Sequence, residues 1–220
     1  MELQTDNALE AWFTLLTHVH RSGKESSIHS RRYKEIYSIL LSLRSPIFQL
    51  EDPIHLLSSM QEWIFPSKEE LRDSILADLA NPFSDFNYGK RIFNFKGKLN
   101  QVDEFLVPLL EKDPSSRRGV LSFYDPLVDS IPGKISPSLL SIIARVSAGH
   151  LSLTAIFRSS DVFIGLPANI FQLSVLQSFL AKKLRLKPGD LSFFLVNAHY
   201  YLEHESAMTD LAKRVGKTFK

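Results

Sequence analysis

Alternating strand-like and helix-like runs in the second half of these 220 residues predict a mixed protein, α+β or α/β, folded as one domain over 1–220. Three observations carry that expectation. Residues 138–147 and 150–157 are β-rich runs joined at Ala148-Gly149, which is hairpin turn chemistry. Residues 167–184 place Ile170, Leu173, Leu176, Phe179, Leu180 and Leu184 at helical spacing. Residues 191–201 return to strand character, and a helical tail, basic at its end, begins at Glu205.

From the N-terminus, residues 6–20 read as an amphipathic helix capped by Asp6 or Asn7 and ended by Arg21-Ser22-Gly23. Residues 21–32 are polar and loop-like, with four cations: Arg21, Lys24, Arg31 and Arg32. Residues 33–43 fit helical and alternating spacings equally, so their type stays open. Pro53, Pro66 and Pro82 punctuate the next stretch around a helix over 68–79. A helix over 99–111 is broken or bent at Pro108. Residues 112–118 form a turn and 119–124 start a strand. Lys187-Pro188-Gly189-Asp190 reads as a turn before the last strand.

The composition bounds the function. A formal net charge of +2 is too small to argue for nucleic acid or a polybasic membrane surface. No apolar run approaches the ~18 residues of a membrane span. Met1-Glu2-Leu3-Gln4-Thr5-Asp6 lacks the features of a signal peptide, so a cytoplasmic protein is expected. The absence of cysteine excludes disulfides, thiolate metal sites and thiol nucleophiles together. Sixteen phenylalanines imply flat surfaces buried in a core or across a subunit interface.

Arg158-Ser159-Ser160-Asp161 followed by Gly165-Leu166-Pro167-Ala168-Asn169 is the most informative stretch. A cation, a hydroxyl, a carboxylate and an amide stand close together between apolar residues that fix their directions. That set suits a small phosphorylated, hydrogen-bonding ligand better than a core. Plainer readings exist: Asn169 capping the next helix, His199 as a satisfied core histidine, Arg117-Arg118 as a solvated turn. His18, His20, His29 and His55 are scattered singly, and no His, Asp or Glu spacing makes a metal site.

Three ordered blocks, over about 113–205, resemble the thymidylate synthase family, which includes the pyrimidine hydroxymethylases. Asp113-Pro114-Ser115-Ser116-Arg117-Arg118 is similar to its arginine-pair loop. The 158–170 stretch is similar to its nucleotide-binding signature. Lys187-Pro188-Gly189-Asp190 through Asn197-Ala198-His199-Tyr200-Tyr201 is similar to its late strand. Tyr88-Gly89-Lys90-Arg91 adds a weaker match, and before residue 88 the resemblance is slight. The compact size is similar to short archaeal-type members.

The resemblance implies an α+β fold with a mixed sheet packed by helices, paired back to back as a homodimer. It implies a pyrimidine nucleoside 5′-monophosphate as ligand and a reduced folate, methylene-tetrahydrofolate or an analogue, as one-carbon donor. Arg158 and Ser159 would hold the phosphate, joined by Arg117 and Arg118 from the partner chain. Asn169 would read the uracil edge, and His199 and Tyr201 would bond the sugar hydroxyl. Asp161 would lie under the base near the folate. Arg21 would match an arginine that contacts the phosphate after the first helix, and Glu62 a folate-side glutamate.

The chain departs from the family at the reacting atoms. The family's nucleophilic cysteine, counted back from Arg158 without a gap, falls on Ser138, and its neighbour falls on Leu139. A serine hydroxyl has no appreciable anion fraction near neutral pH and needs a base, which Leu139 does not supply. The residue before the arginine, glutamine in many members, is Phe157. Three readings follow: a divergent C5 one-carbon transferase that works without the thiol, a catalytically silent nucleotide- or partner-binding homologue, or an engineered Ser138. Losing nucleophile and neighbour together argues against the third. A heteromeric partner is compatible with the second.

Overall fold

The computed structural model describes residues 1–60, 64–77 and 87–217. An extended strand, β1 (Glu2–Asn7), leads into helix α1 (Ala8–Ser22). Asn7 caps α1 by accepting from the Glu10 amide at 3.0 Å, which satisfies one of the free N–H groups of the first turn. The predicted loop over 21–32 is instead mostly structured. α1 runs to Ser22, and β2 (Lys24–Ile28) pairs antiparallel with β3 (Arg31–Phe48). His29 and Ser30, both at positive φ, make the tight turn between them. The open stretch at 33–43 is the middle of β3.

Short helices α2 (Asp52–Ser58) and α3 (Lys68–Leu76) follow. Ser67 and Glu70 close a reciprocal capping box on α3. The predicted end of this helix, at 77–79, lies largely outside the described residues. α4 (Tyr88–Phe93) precedes a π-helical turn over Gln101–Leu106, which passes into α5 (Val107–Lys112). Pro108 lies in the first turn of α5, so the expected break is a change of helical winding just before it.

β4 (Val120–Ser122), α6 (Pro126–Asp129), β5 (Leu139–Ser147) and β6 (His150–Phe157) come next. Ala148 (φ 47) and Gly149 (φ 75) form the hairpin turn that the sequence predicted. β7 (Ser160–Asp161) leads into α7 (Gly165–Lys183). Then β8 (Lys187–Tyr201), a short 3-10 turn and α8 (Glu205–Arg214) complete the described chain. Lys187-Pro188-Gly189-Asp190 is not a turn: it opens β8, where His150 and Leu151 pair with Lys187 and Pro188. Gly189 permits this, because a Cβ there would lie 2.5 Å from Ser152 Oγ and 3.1 Å from the Leu151 backbone.

The strands form one mixed sheet in the order β1-β3-β8-β6-β5-β4, with β2 on β3 and β7 on β8. Register aligns Leu41, Phe193, Ala155, Ile142 and Leu121 in a buried row across it. α1 and α7 cover this face. α7 buries residues all round its axis, including Leu166, Leu173, Leu176 and Leu180. On the opposite face Tyr37, Phe194 and Val196 remain exposed. No helix among the described residues is long and apolar enough to cross a membrane.

One irregularity positions the site. In β8 the odd residues Leu191, Phe193 and Leu195 are buried, but beyond Val196 the buried ones are Ala198 and Tyr200. β3 changes in step: Leu43, Leu41 and Ile39 are buried, whereas beyond Ser38 (φ 59) it is Lys34 that reaches the Leu-lined side, donating to His20 O of α1 at 2.9 Å. The alternation inverts at Ser38 and Val196. Asn197, His199 and Tyr201 therefore turn away from α1.

Candidate functional site

The inverted end of the sheet carries a cleft of about 260 Å³ lined by Ile28, Tyr33, Glu35, Arg158, Ser159, Asn197, His199 and Tyr201. Strand register builds it. Tyr33 stands opposite Tyr201, Glu35 opposite His199 and Tyr37 opposite Asn197 across the β3–β8 pair. β7 runs parallel to β8 with Asp161 beside His199, so the link from β6 delivers Arg158 and Ser159 to the same place. Trp12 of α1 fixes the following loop, donating its indole N–H to Val162 O at 2.9 Å and Phe163 O at 3.1 Å.

Arg158 is oriented by the segment that carries Ser138. Its Nε donates to Pro137 O and its Nη2 to Ser136 O, each at 3.0 Å, while its backbone N–H donates to Ser138 O at 2.9 Å. The exposed guanidinium keeps its Nη1 group without a partner among the described residues. Ser159 Oγ lies 3.2 Å from His199 Nδ1 and 3.4 Å from Asn197 Oδ1. Burial holds the His199 imidazole below the usual histidine range, against Asp161 and Glu35, which push it up; the cations Arg31 and Arg158 lower it further. Tyr201 is held by a cation rather than by the core: the Arg31 guanidinium sits 3.7 Å from its ring centroid and also pairs with Glu203.

Arg158, Ser159, His199 and Tyr201 thus share one cleft, and Asp161 adjoins it. Asp161 Oδ1 accepts from Phe163 N at 2.9 Å and Ile164 N at 3.1 Å, shaping the entry to α7; Oδ2 has no partner among the described residues. Asn169 lies one turn inside α7, half-buried, and does not cap it, since the helix starts at Gly165. Arg117 and Arg118 are exposed on the turn before β4, with no hydrogen bond or ion pair from either guanidinium among the described residues. Arg21 lies elsewhere, lining a groove with Phe13, Thr14, Thr17, His18 and Lys217. Glu62 falls outside the described residues.

Ser138 precedes β5, half-buried, and its hydroxyl has no hydrogen-bond partner among the described residues. The Tyr88 hydroxyl lies against the backbone of Leu139 and Ser138. Burial pushes Tyr88 up to about 12, so it stays protonated. Phe157 is in the core, stacked on Phe193 at 6.0 Å. Glu35, Asn197, Tyr33 and Arg31 are the site residues that sequence reasoning missed. They come from distant strands, and the alternation that would have exposed them breaks at Ser38.

The thymidylate synthase family model matches residues 67–219. A Methanosarcina barkeri protein provisionally named thymidylate synthase is 24% identical over 202 residues, 91% of this chain and 89% of that protein. The thymidylate synthase of Phytoplasma mali is 32% identical over 155 residues, 68% of this chain and 52% of that protein. That of Enterobacteria phage T4 is 33% identical over 130 residues, 59% and 44% respectively. With the fold, the shared cleft and this match in agreement, the chain belongs to the thymidylate synthase family, one-carbon transferases acting on pyrimidine nucleotides, as a divergent member without the family's cysteine.

Proposed function

We propose that this chain binds a pyrimidine nucleoside 5′-monophosphate and acts as a divergent C5 one-carbon transferase. The observation that carries the binding half is the meeting of Arg158 and Ser159 with His199 and Tyr201 in one cleft. A guanidinium with a free edge and a serine hydroxyl suit a dianionic phosphate. An imidazole and a phenol beside them suit a sugar hydroxyl. Asn169 would read the uracil edge, because one amide both donates and accepts.

The cleft is small for a whole nucleotide. That supports a site completed across a homodimer, with Arg117 and Arg118 reaching the neighbour's phosphate, since neither guanidinium has a partner among the described residues. Arg21, on a separate groove, has no such support; Arg31, beside Tyr201, is better placed. A reduced folate, when bound, supplies the one-carbon unit, and Asp161 Oδ2 is an acceptor open to a pterin N–H. The absence of a membrane-spanning helix among the described residues is compatible with work in the cytoplasm.

A second reading has its own observation. Among the described residues no base bonds the Ser138 hydroxyl, which favours a catalytically silent homologue that keeps the nucleotide site for binding alone. Release of tritium from C5-labelled deoxyuridine or deoxycytidine monophosphate separates the two. A transferase labilises that hydrogen when C6 is activated, so release above the protein-free rate is expected. Binding without release would establish the silent homologue instead.

A further inference from the structure

Glu35 does not match any role expected from the sequence, yet it is a buried carboxylate in the wall of the cleft, only 9% exposed. Asn197 Nδ2 donates to Glu35 Oε2 at 2.5 Å. An ionised carboxylate only accepts. The Asn197 amide therefore cannot be turned round, because its carbonyl would then face the carboxylate at that distance.

With Nδ2 so committed, Asn197 Oδ1 points the other way, 3.0 Å from His199 Nδ1. An amide oxygen also only accepts, so the proton must be on Nδ1. Ser159 Oγ, 3.2 Å from Nδ1, shares that proton's direction. A neutral imidazole has a single N–H, which leaves Nε2 a bare acceptor. No group among the described residues partners Nε2, and His199 lines the cleft.

We propose that Glu35, acting through Asn197, is a positioning residue that locks His199 in its Nδ1-protonated tautomer, so that the cleft offers an acceptor to a ligand hydroxyl. The identity of that hydroxyl rests on the nucleotide reading: it is the sugar 3′-hydroxyl of a pyrimidine 5′-monophosphate. A ligand presenting only an acceptor at that point is refused, and a 3′-deoxy analogue gains nothing from the lock.

Long-range proton–nitrogen correlation spectra of ring-¹⁵N-histidine protein, free of ligand, test this directly, with the His199 signals assigned by their loss in His199→Gln. The wild type is expected to show the Nδ1-protonated pattern. Glu35→Gln, whose carboxamide oxygen still accepts from Asn197, is expected to keep it, and Glu35→Met to shift toward the Nε2-protonated form. A wild type in the Nε2-protonated form overturns the proposal, as does a folded Glu35→Met that keeps the wild-type pattern. The wild-type spectrum alone decides if Glu35→Met does not fold. In titrations with deoxyuridine monophosphate, Glu35→Met should bind about tenfold more weakly, the scale of one lost hydrogen bond. Its affinity for the 3′-deoxy analogue should match that of the wild type, and equal losses for both nucleotides would overturn the specificity claim. Absence of any nucleotide binding by the wild type would remove the nucleotide reading and leave the tautomer result standing.

Discussion

A histidine held below its ordinary range makes folding sensitive to acid in a defined window. His199 in the unfolded chain takes up a proton near 6.5, while burial delays that uptake in the folded chain. Its contribution to stability is complete above about 6.5 and is lost as the pH falls from there toward the lower folded value. Urea midpoints of His199→Gln between pH 7.5 and 5 should fall less steeply than those of the wild type; parallel curves would contradict this assignment. His20, also lowered by burial, is present in both proteins and cancels. At the reacting position, Ser138→Cys is expected to raise C5 tritium release, because a thiol has an anion fraction near pH 7 that a serine hydroxyl lacks. The residues legible in the sequence were those whose meaning is local: Arg158 and Ser159 in one tetrapeptide, His199 and Tyr201 two apart. Glu35 and Asn197, separated by 162 positions, meet only through strand register, which no local pattern announces.

Elements show the same division between local and long-range causes. α1 was readable from its apolar spacing and its cap, and the cap can be measured: Asn7→Ala should cost about 1 kcal/mol in chemical denaturation. The 148–149 hairpin and α7 were readable for the same reason, since turn chemistry and helical period are written within a few residues. β3 was not, because Ser38 inverts its alternation and mixes two strand faces into one ambiguous pattern. β2 was read as loop because its mostly polar, exposed residues bury almost nothing. Pro188-Gly189 signalled a turn, but there the glycine serves a close approach between β6 and β8. Gly189→Ala should therefore destabilise the protein by about 1–3 kcal/mol, since the backbone of Leu151 cannot yield as a flexible side chain does.

At the scale of the whole molecule, one sheet face is covered by helices and the other shows Tyr37, Phe194 and Val196 to solvent. A second copy across that face would bury these residues and bring Arg117 and Arg118 toward the neighbour's cleft. Sedimentation is expected to give a dimer for the wild type and a monomer for Phe194→Asp. Mixed dimers of Arg158→Ala with the Arg117→Ala/Arg118→Ala double variant should recover nucleotide binding at one site in two, which neither parent shows in full. The α+β character followed from the strand and helix runs of the second half and the mixed sheet from the family resemblance, whereas the inverted alternation that makes the cleft followed from neither. The central claim is that the Arg158 cleft holds a pyrimidine 5′-monophosphate. Thermal unfolding with and without the monophosphates of deoxyuridine, deoxycytidine, uridine and cytidine, on wild type and Arg158→Ala, tests it most directly. At about 100 times its dissociation constant a ligand adds about 2.7 kcal/mol, several degrees for a chain of this size. A rise with one pyrimidine nucleotide that disappears in Arg158→Ala is the predicted result; no rise with any of the four, or a rise that survives the substitution, would contradict it.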